Sequence, residues 1–259
     1  MRDVLSTLTR DVLFGPLDTP GRTEAVINRL RTAVALGVLA DGAQLPSEVD
    51  LAAQFNVAPG TLREALSALR EEGIVETRRG RGGGSFVRVP ESLHVTHASA
   101  LLSSMPPPEF RDLSDWRAAV AGASAQLAAE RASDQDVGHL GSLAGSLAAA
   151  EDEATARRFD ARFHIALAAA AQSRRLSTEA INLQVTYAPM LALVYADPEV
   201  RREGGARLAE VADCVRAGEA ERARRVVTEL TTDTARRLSR LRGRTAGAPG
   251  AGTEREEAR

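Results

Sequence analysis

Residues 45–87 read LPSEVDLAAQFNVAPGTLREALSALREEGIVETRRGRGGGSFV, and this stretch decides the fold of the N-terminal part of the chain. It predicts two helices in succession, because Ser47 suits an N-cap, Asn56 breaks the first helix and Pro59 fits the first turn of the second. The second helix has one apolar face, which is formed by Leu62, Ala65, Leu66 and Leu69. Gly73 ends it, so the stretch predicts a short helix, a turn and a longer helix.

A hairpin is predicted after these helices. Two β-like runs, at residues 74–77 and 85–89, flank a turn that is rich in Gly and Arg, and an earlier helix is predicted over residues 22–36. Helix, short helix, turn, helix and hairpin is the layout of a winged helix-turn-helix, whose recognition helix enters the major groove of DNA. At the tip of the wing, glycine lets the backbone approach DNA closely while Arg reaches phosphates or the minor groove.

The tip of this wing, RGRGGGS at residues 79–85, has two other interpretations. As a nucleotide-binding loop it lacks the third glycine of G-x-G-x-x-G, and it leads into a strand instead of the helix that would bind the anion. As a solubilising hairpin it would bring several arginines together without an anionic partner. Residues 22–89 hold nine Arg and eight acidic residues, so the argument for DNA depends on where the arginines lie.

The composition of the 259-residue chain excludes several classes of protein. All 33 basic residues are Arg, and without Lys there is no Walker A loop, no protein-kinase Lys and no Schiff base to pyridoxal phosphate. The single Cys214 excludes disulfide frameworks and Cys-ligated clusters, and it fits the reducing cytoplasm, where we expect the protein to be. No apolar run approaches the ~18 residues that a membrane-spanning helix needs, so no membrane partner is expected.

Proline, glycine and apolar content divide the chain into five predicted segments. We expect an N-terminal arm at residues 1–20, the winged helix-turn-helix domain at 21–90 and a Pro-containing linker at 91–110, with room for a helix at 92–104. Residues 111–242 are almost free of Pro and rich in Ala, Leu and Arg, which predicts a helical domain. Residues 243–259 are expected to be a disordered tail. The predicted fold class is therefore mostly α.

The quoted stretch resembles the DNA-binding domain of GntR-type bacterial transcription regulators, through Pro46-Ser47-Glu48, Leu62-Arg63-Glu64-Ala65-Leu66, Glu72-Gly73 and the glycine of the wing. The resemblance implies that operator DNA is contacted by Thr61, Arg63, Arg79 and Gly80. The positive charge of the wing adds Arg78 and Arg81 as expected DNA contacts, and Ser47 is a further candidate. The chain departs from the family at Val49, where Arg is common, and at Ala58-Pro59, where a Ser/Thr-Arg pair is common. Arg63 and the wing are therefore expected to carry more of the readout, on a different operator.

Residues 111–242 resemble the helical FCD effector domain of the FadR branch of that family. The similar segments are DLSDWRAAVAGASAQLAAERAS at 112–133, FDARFHIALAAAAQSRRL at 159–176 and ADCVRAGEAERARRVV at 212–227. The lack of Lys excludes the aminotransferase-fused branch, and the lack of strand alternation argues against a β-rich effector domain. The resemblance implies an antiparallel helical bundle that dimerises and encloses a small-molecule pocket, with Arg117 facing the pocket.

Asp160 and His164 are the pair with chemical interest in this domain. At i and i+4 they share a helix face, a spacing that also occurs in ordinary surface pairs. In metal-binding members of the resembled family, two further His complete the site, and their positions are Leu208 and Leu230 here. A Zn²⁺ or Ni²⁺ site needs three or four N/O ligands, so we expect that the metal site is lost, that no cofactor is bound and that the pocket is more apolar.

A few other residues allow competing interpretations. Trp116 is expected to be a packing anchor at the domain interface, with ligand stacking as the alternative. Tyr187 and Tyr195 fit either the pocket or a dimer face equally well. His94-x-x-His97 has metal-ligand spacing but no matching acid, which makes it a weak candidate.

The sequence therefore predicts a cytoplasmic, homodimeric, ligand-responsive transcription regulator, a repressor by default with activation left open. The expected partners are operator DNA and a small organic acid with a hydrocarbon part, held by Arg117, Asp160, His164, Tyr187, Leu208 and Leu230. We expect an Asp160–His164 hydrogen bond, with Arg117 closing it or free to bind an effector carboxylate. A regulator of a long acyl ligand is the leading alternative, and a hydrolytic enzyme using Asp160 and His164 is a distant one, because it lacks a nucleophile and an oxyanion loop.

Overall fold

The computed structural model describes residues 22–35, 39, 41–80, 83–88 and 95–246. The predicted N-terminal arm, the wing residue Arg81, His94 and the tail beyond residue 246 lie outside the described residues. The predicted fold class is confirmed: the described chain is mostly helical, with one two-stranded antiparallel sheet.

The N-terminal part has the order that the sequence predicts. It consists of α1 (Arg22–Ala35), α2 (Glu48–Phe55), α3 (Pro59–Glu71), β1 (Val75–Arg78) and β2 (Gly84–Val87). The two strands pair antiparallel, with Val75 opposite Val87, and form the wing. The three helices and the wing enclose one core, whose largest fully buried members are Phe55, Leu30, Leu51, Leu62, Leu66 and Leu69.

Local chemistry explains where α2 and α3 begin and end. The backbone N–H of Asp50 donates to the Ser47 hydroxyl, which caps α2. Asn56 takes the left-handed conformation at φ 53° and ends this helix, a role that Asn tolerates better than most residues. Pro59 begins α3, where its missing N–H costs nothing.

The remaining chain is a bundle of helices. These are α4 (Val95–Ser104), α5 (Pro107–Arg131), α6 (Asp134–Ala148), α7 (Glu153–Ala170), α8 (Arg174–Tyr187), α9 (Leu191–Tyr195), α10 (Pro198–Arg216) and α11 (Ala220–Ala246), with a 3₁₀ turn at Ala188–Met190. α4 lies in the segment predicted as a linker, where the sequence allowed a helix at 92–104. α5 begins at Pro107, before the predicted domain start at residue 111, because prolines fit the first turn of a helix. At the other end, α11 continues to Ala246, past the predicted boundary at residue 242.

Small residues let the helices of the bundle pack closely. α5 packs along α11, α10 packs along α6, and α7 contacts α5, α6 and α8. A Cβ at Gly205 on α10 would lie 2.5 Å from the Cβ of Ala148, so only glycine allows this approach. The core is built from Leu, Val and Ala with few aromatic residues, as the composition predicts.

The two parts of the chain meet where α1 packs against α8. α8 also carries Gln184 and Tyr187 into the interior of the bundle. No helix within the described residues is long and apolar enough to cross a membrane.

Candidate functional site

The exposed face of α3 carries the first group of candidate residues. The Arg63 side chain is 65% exposed, and its Nε lies 3.7 Å from Oε2 of Glu48 on α2. Thr61, two residues earlier on α3, is half-buried. The Glu64 carboxylate accepts a 3.0 Å hydrogen bond from Thr23 and is thereby held toward α1. Arg63 is therefore the guanidinium that α3 presents to solvent beside the first turn of α2.

The wing arginines differ in how they are held. Arg78 donates to Glu76 at 2.7 Å and lies over the Phe86 ring, with 4.3 Å from Cζ to the centroid. Arg88 donates to the other oxygen of Glu76 at 2.7 Å, and hydrogen bonds from Arg88 and then Arg78 lower the pKa of the Glu76 carboxyl. Arg79 is exposed and has no ion-pair partner among the residues that the structure describes. Of the predicted wing contacts that the structure describes, Arg79 is thus the most available to an anion.

Two other predicted DNA contacts have local structural roles. The exposed Ser47 caps α2, and its hydroxyl also donates to the Asp50 carboxylate at 2.6 Å. Gly80 has φ +101°, a conformation that favours glycine, and its carbonyl accepts from the Gly83 N–H at 2.8 Å. Both residues therefore shape the surface on which Arg63 and Arg79 lie.

A second group of polar residues is buried inside the helical bundle. Arg117 of α5 donates from Nη2 to Oδ2 of Asp160 on α7 at 3.0 Å, and both side chains are nearly inaccessible to solvent. The Tyr195 hydroxyl, on α9, donates to the other carboxylate oxygen at 2.8 Å. Burial raises the pKa of Tyr195 well above its ordinary value, which keeps this hydroxyl a donor. Three helices thus meet at one buried carboxylate.

The predicted Asp160–His164 hydrogen bond is wrong. Nε2 of His164 lies 3.8 Å from Oδ1 of Asp160, beyond hydrogen-bond distance, because Tyr195 donates to that oxygen instead. Burial and then the Arg117 charge lower the pKa of His164 to about 4, so its imidazole is neutral at pH 7. His164 consequently adds a neutral ring to the site.

Several buried polar atoms of the bundle have no hydrogen-bond partner within the described part of the chain. They include Nε and Nη1 of Arg117, Nε2 of His164, Oε1 of Gln184 and the hydroxyl of Tyr187. The Arg117 guanidinium also lies over the Tyr187 ring, 4.6 Å from its centroid. Buried donors without acceptors are rare in proteins, because each costs the free energy of desolvation. Arg117 therefore has two nitrogens that donate neither to Asp160 nor to solvent.

The two leucines at the implied histidine positions lie on α10 and α11. Leu208 is fully buried in the core, and Leu230 is half-buried. Leu230, Tyr195 and Val194 line a cavity of about 30 Å³, together with the charged residues Glu203, Arg207, Asp233 and Arg237. This cavity is of mixed polarity and has room for roughly one or two waters, and Arg117, Asp160 and His164 are not among its lining residues.

The residues do not fit a bound metal ion. Asp160 is already neutralised by Arg117, and neither Leu208 nor Leu230 can donate an electron pair. Within the described residues, no group of three or more His, Cys, Asp or Glu side chains is arranged to hold a metal. A zinc or nickel site requires more ligands than Asp160 and His164 provide.

The sequence missed part of this arrangement. The sequence did not distinguish a pocket position from a dimer-face position for Tyr195. No pattern linked it to the carboxylate of Asp160, 35 positions earlier in the chain. No sequence signal distinguished Gln184, which is buried, from its polar neighbours Asn182 and Thr186, which are exposed. Trp116 is 49% exposed, which does not support its predicted role as a packing anchor within one chain. Cys214 is buried.

Comparison with known proteins gives two family matches. Residues 22–84 match the family described as bacterial regulatory proteins, gntR family, and residues 112–233 match the FCD domain. An HTH-type transcriptional regulator of Mycobacterium gastri, RmpR, is 41% identical over 215 residues, which are 80% of this chain and 77% of that protein. The L-lactate dehydrogenase operon regulatory protein of Escherichia coli is 30% identical over 79% of this chain and 81% of its own length.

Two further matches add to this comparison. The Glc operon transcriptional activator of Escherichia coli is 36% identical over 115 residues, which are 44% of each chain. Among solved structures, Escherichia coli McbR/YncC superposes with a TM-score of 0.54 at 19% identity, over 86% of this chain and 99% of that one. At this identity the superposition bears on the fold alone.

Proposed function

We propose that this chain, which belongs to the gntR family of bacterial regulatory proteins and carries an FCD domain, is a FadR-branch regulator that acts as a repressor under the control of a small carboxylate. That it is a transcriptional regulator follows from the family. Repression, the branch and the chemistry of the effector are the proposal. One relative is named as an activator, so activation is the alternative to repression. A reporter assay of the neighbouring genes distinguishes the two.

The DNA-binding surface consists of α3 and the wing. Arg63 reaches base edges in the major groove, and Arg79 reaches a phosphate or the minor groove beside it. The exposure of these two side chains supports this assignment. The proposed surface also includes the neighbouring residues Ser47, Thr61, Arg78 and Gly80, and Arg81, which lies outside the described residues. Glu48 lies close enough to Arg63 to orient its guanidinium without neutralising it in a tight pair.

Salt dependence tests the DNA contact. Binding of the full-length protein to DNA from upstream of its own gene is measured by fluorescence anisotropy at several salt concentrations. Affinity should fall steeply as salt rises, because each phosphate contact releases counterions. Arg79→Ala should reduce the salt slope by about two, one for each subunit of the dimer, if Arg79 contacts a phosphate. Affinity that does not depend on salt would contradict the proposal.

A homodimer places two recognition helices on a near-palindromic operator. Two chains of 27.5 kDa should give a particle of about 55 kDa in solution. Sedimentation equilibrium measures this mass directly. If the protein is a monomer in solution and still binds the operator with the affinity expected of a dimer, the two-fold arrangement is contradicted.

The effector site centres on Arg117. Its Nε and Nη1 have no acceptor among the described residues, and each can donate a hydrogen bond to an anionic ligand. Burial of these two donors without acceptors is the observation that carries the proposal. His164, Tyr187, Leu208 and Leu230 would surround the rest of the ligand, beside Asp160. One relative is named for an L-lactate dehydrogenase operon, which favours a short acid over a long acyl chain.

A route from this site to the DNA-binding domain is present in the fold. α8 carries Tyr187, which lies against Arg117, and α8 also packs on α1 of the DNA-binding domain. A ligand that draws the guanidinium away from Asp160 would change how α8 lies against α1. Effector and DNA would then be linked through the two arrangements of these helices.

Thermal unfolding with a panel of short mono- and dicarboxylates tests the effector site. A binding acid should raise the Tm of the parent protein, because it binds the folded state alone. Arg117→Met should abolish that rise while specific DNA binding remains. Arg201→Met is the matched control, since it also removes a buried guanidinium, one that donates to backbone carbonyls of Ala150, Glu151 and Tyr195. An acid that stabilises the Arg117→Met protein as much as the parent would contradict this assignment.

A further inference from the structure

Val49 is a large apolar side chain that the fold leaves in solvent. It is 73% exposed, and within the described residues only it and Trp116 are exposed large hydrophobic residues. It lies in the first turn of α2, while Leu51, Ala52 and Phe55 form the buried face of that helix. Its side chain therefore contributes nothing to the core of the domain.

The position of Val49 places it beside the recognition helix. Its neighbour Glu48 lies 3.7 Å from Arg63, so the first turn of α2 borders the face of α3 that carries Arg63. The start of α3 is also exposed and has no hydrogen-bonding side chain, since it consists of Ala58, Pro59 and Gly60. Val49 and these three residues therefore add exposed apolar surface near Arg63, beside the polar side chains of Ser47, Glu48 and Thr61.

The chemistry of the major groove limits what such a surface can recognise. The purine and cytosine edges offer donors and acceptors, whereas thymine also offers a C5-methyl group. We infer that Val49 packs against the C5-methyl of a thymine in each half-site, next to the base that Arg63 contacts. This inference rests on the proposed binding of operator DNA. Val49 is thereby a specificity-determining residue, and its partner is a T·A base pair.

Replacement of thymine by uracil tests the inference, because uracil lacks only the methyl group. Duplexes are first enriched from a random-sequence pool with the full-length protein, and each thymine of the enriched sequence is then replaced in turn. Removal of one buried methyl contact should weaken binding about four-fold, and about ten- to twenty-fold when both half-sites are changed. Val49→Ala changes both subunits, so it should bind the thymine duplex about ten- to twenty-fold more weakly than the parent. It should no longer distinguish the thymine duplex from the uracil duplex.

Two matched variants complete the experiment. Val49→Ile keeps the apolar contact and should retain the preference for thymine. Gln54→Ala, at an exposed position near the other end of α2, should leave both affinities unchanged. If every uracil duplex binds as tightly as its thymine counterpart, or if Val49→Ala loses as much affinity on uracil substitution as the parent, the inference is overturned. If the pool yields no preferred sequence, the proposed function itself fails.

Discussion

The buried carboxylate of Asp160 should be one of the most sensitive positions for stability. Asp160→Ala would leave the Arg117 charge buried with no anion, because Nη2 would join Nε and Nη1 without an acceptor. Loss of one member of a buried ion pair costs about 3–5 kcal/mol. The Tyr195 hydroxyl would also lose its acceptor, which adds about 1–3 kcal/mol. These terms are not fully additive, and we expect a loss of about 4–6 kcal/mol in the free energy of unfolding.

Removal of all three polar groups together should cost much less. In the triple variant Arg117→Met/Asp160→Leu/Tyr195→Phe, no buried charge or hydroxyl is left without a partner, so its stability should lie within about 2 kcal/mol of the parent. Urea unfolding followed by fluorescence of the single tryptophan, Trp116 on α5, measures the helical domain. Asp112→Ala, an exposed carboxylate on the same helix, is the control and should change stability by less than about 0.5 kcal/mol.

Either of two results would contradict the expected coupling of Arg117, Asp160 and Tyr195. One is an Asp160→Ala protein within about 1 kcal/mol of the parent, which would mean that the carboxylate does not compensate a buried charge. The other is a triple variant that loses as much as the sum of its single changes, which would mean that the three groups do not interact.

The other predictions concern DNA, pH and packing. Arg63→Ala and Arg79→Ala should each weaken specific DNA binding by about 1–3 kcal/mol with an unchanged circular dichroism spectrum, and a variant that binds like the parent would remove that residue from the interface. His164 has a folded pKa of about 4 against an ordinary 6.5, so the unfolded state takes up the proton first as pH falls. Its contribution, about 3 kcal/mol, should be present above pH 6.5 and lost between pH 6.5 and 4, and His164→Gln should flatten the urea-derived stability profile in that window. Gly205→Ala should destabilise the protein by about 1–3 kcal/mol because its Cβ would overlap Ala148, whereas Gly138→Ala, on α6 with open space around its Cβ, should stabilise it by about 0.5–1 kcal/mol; equal unfolding midpoints would contradict this.

The helix-turn-helix and wing were predictable because their signals are local. Ser47, Asn56 and Pro59 each fix a helix end by chemistry within a few residues, and the observed bounds of α2 and α3 lie within about one residue of the expected ones. The linker was harder to predict, since Pro107 breaks a helix in the interior but begins one at the first turn. Sequence alone did not indicate which of the two positions it would occupy.

The buried site was only partly predictable, because its contacts are long-range. The resemblance placed Arg117 and Asp160 at one site, and the fold brings these residues, which are 43 positions apart, to 3.0 Å. It did not indicate that Tyr195 would take the oxygen expected for His164, since that depends on where α9 lies against α7. The exposure of Val49 could not be predicted either, because the sequence pattern of an apolar residue in the first turn of a helix is the same whether its side chain is buried or exposed.

Specificity for DNA tests the central claim most directly. The affinity of the full-length protein for a fragment from upstream of its own gene is compared with that for a shuffled fragment of the same composition, at physiological salt. A sequence-specific regulator should bind the upstream fragment at least about a thousand-fold more tightly than the shuffled fragment, and the protected region should have two-fold symmetry. Equal affinity for the two fragments would contradict the claim.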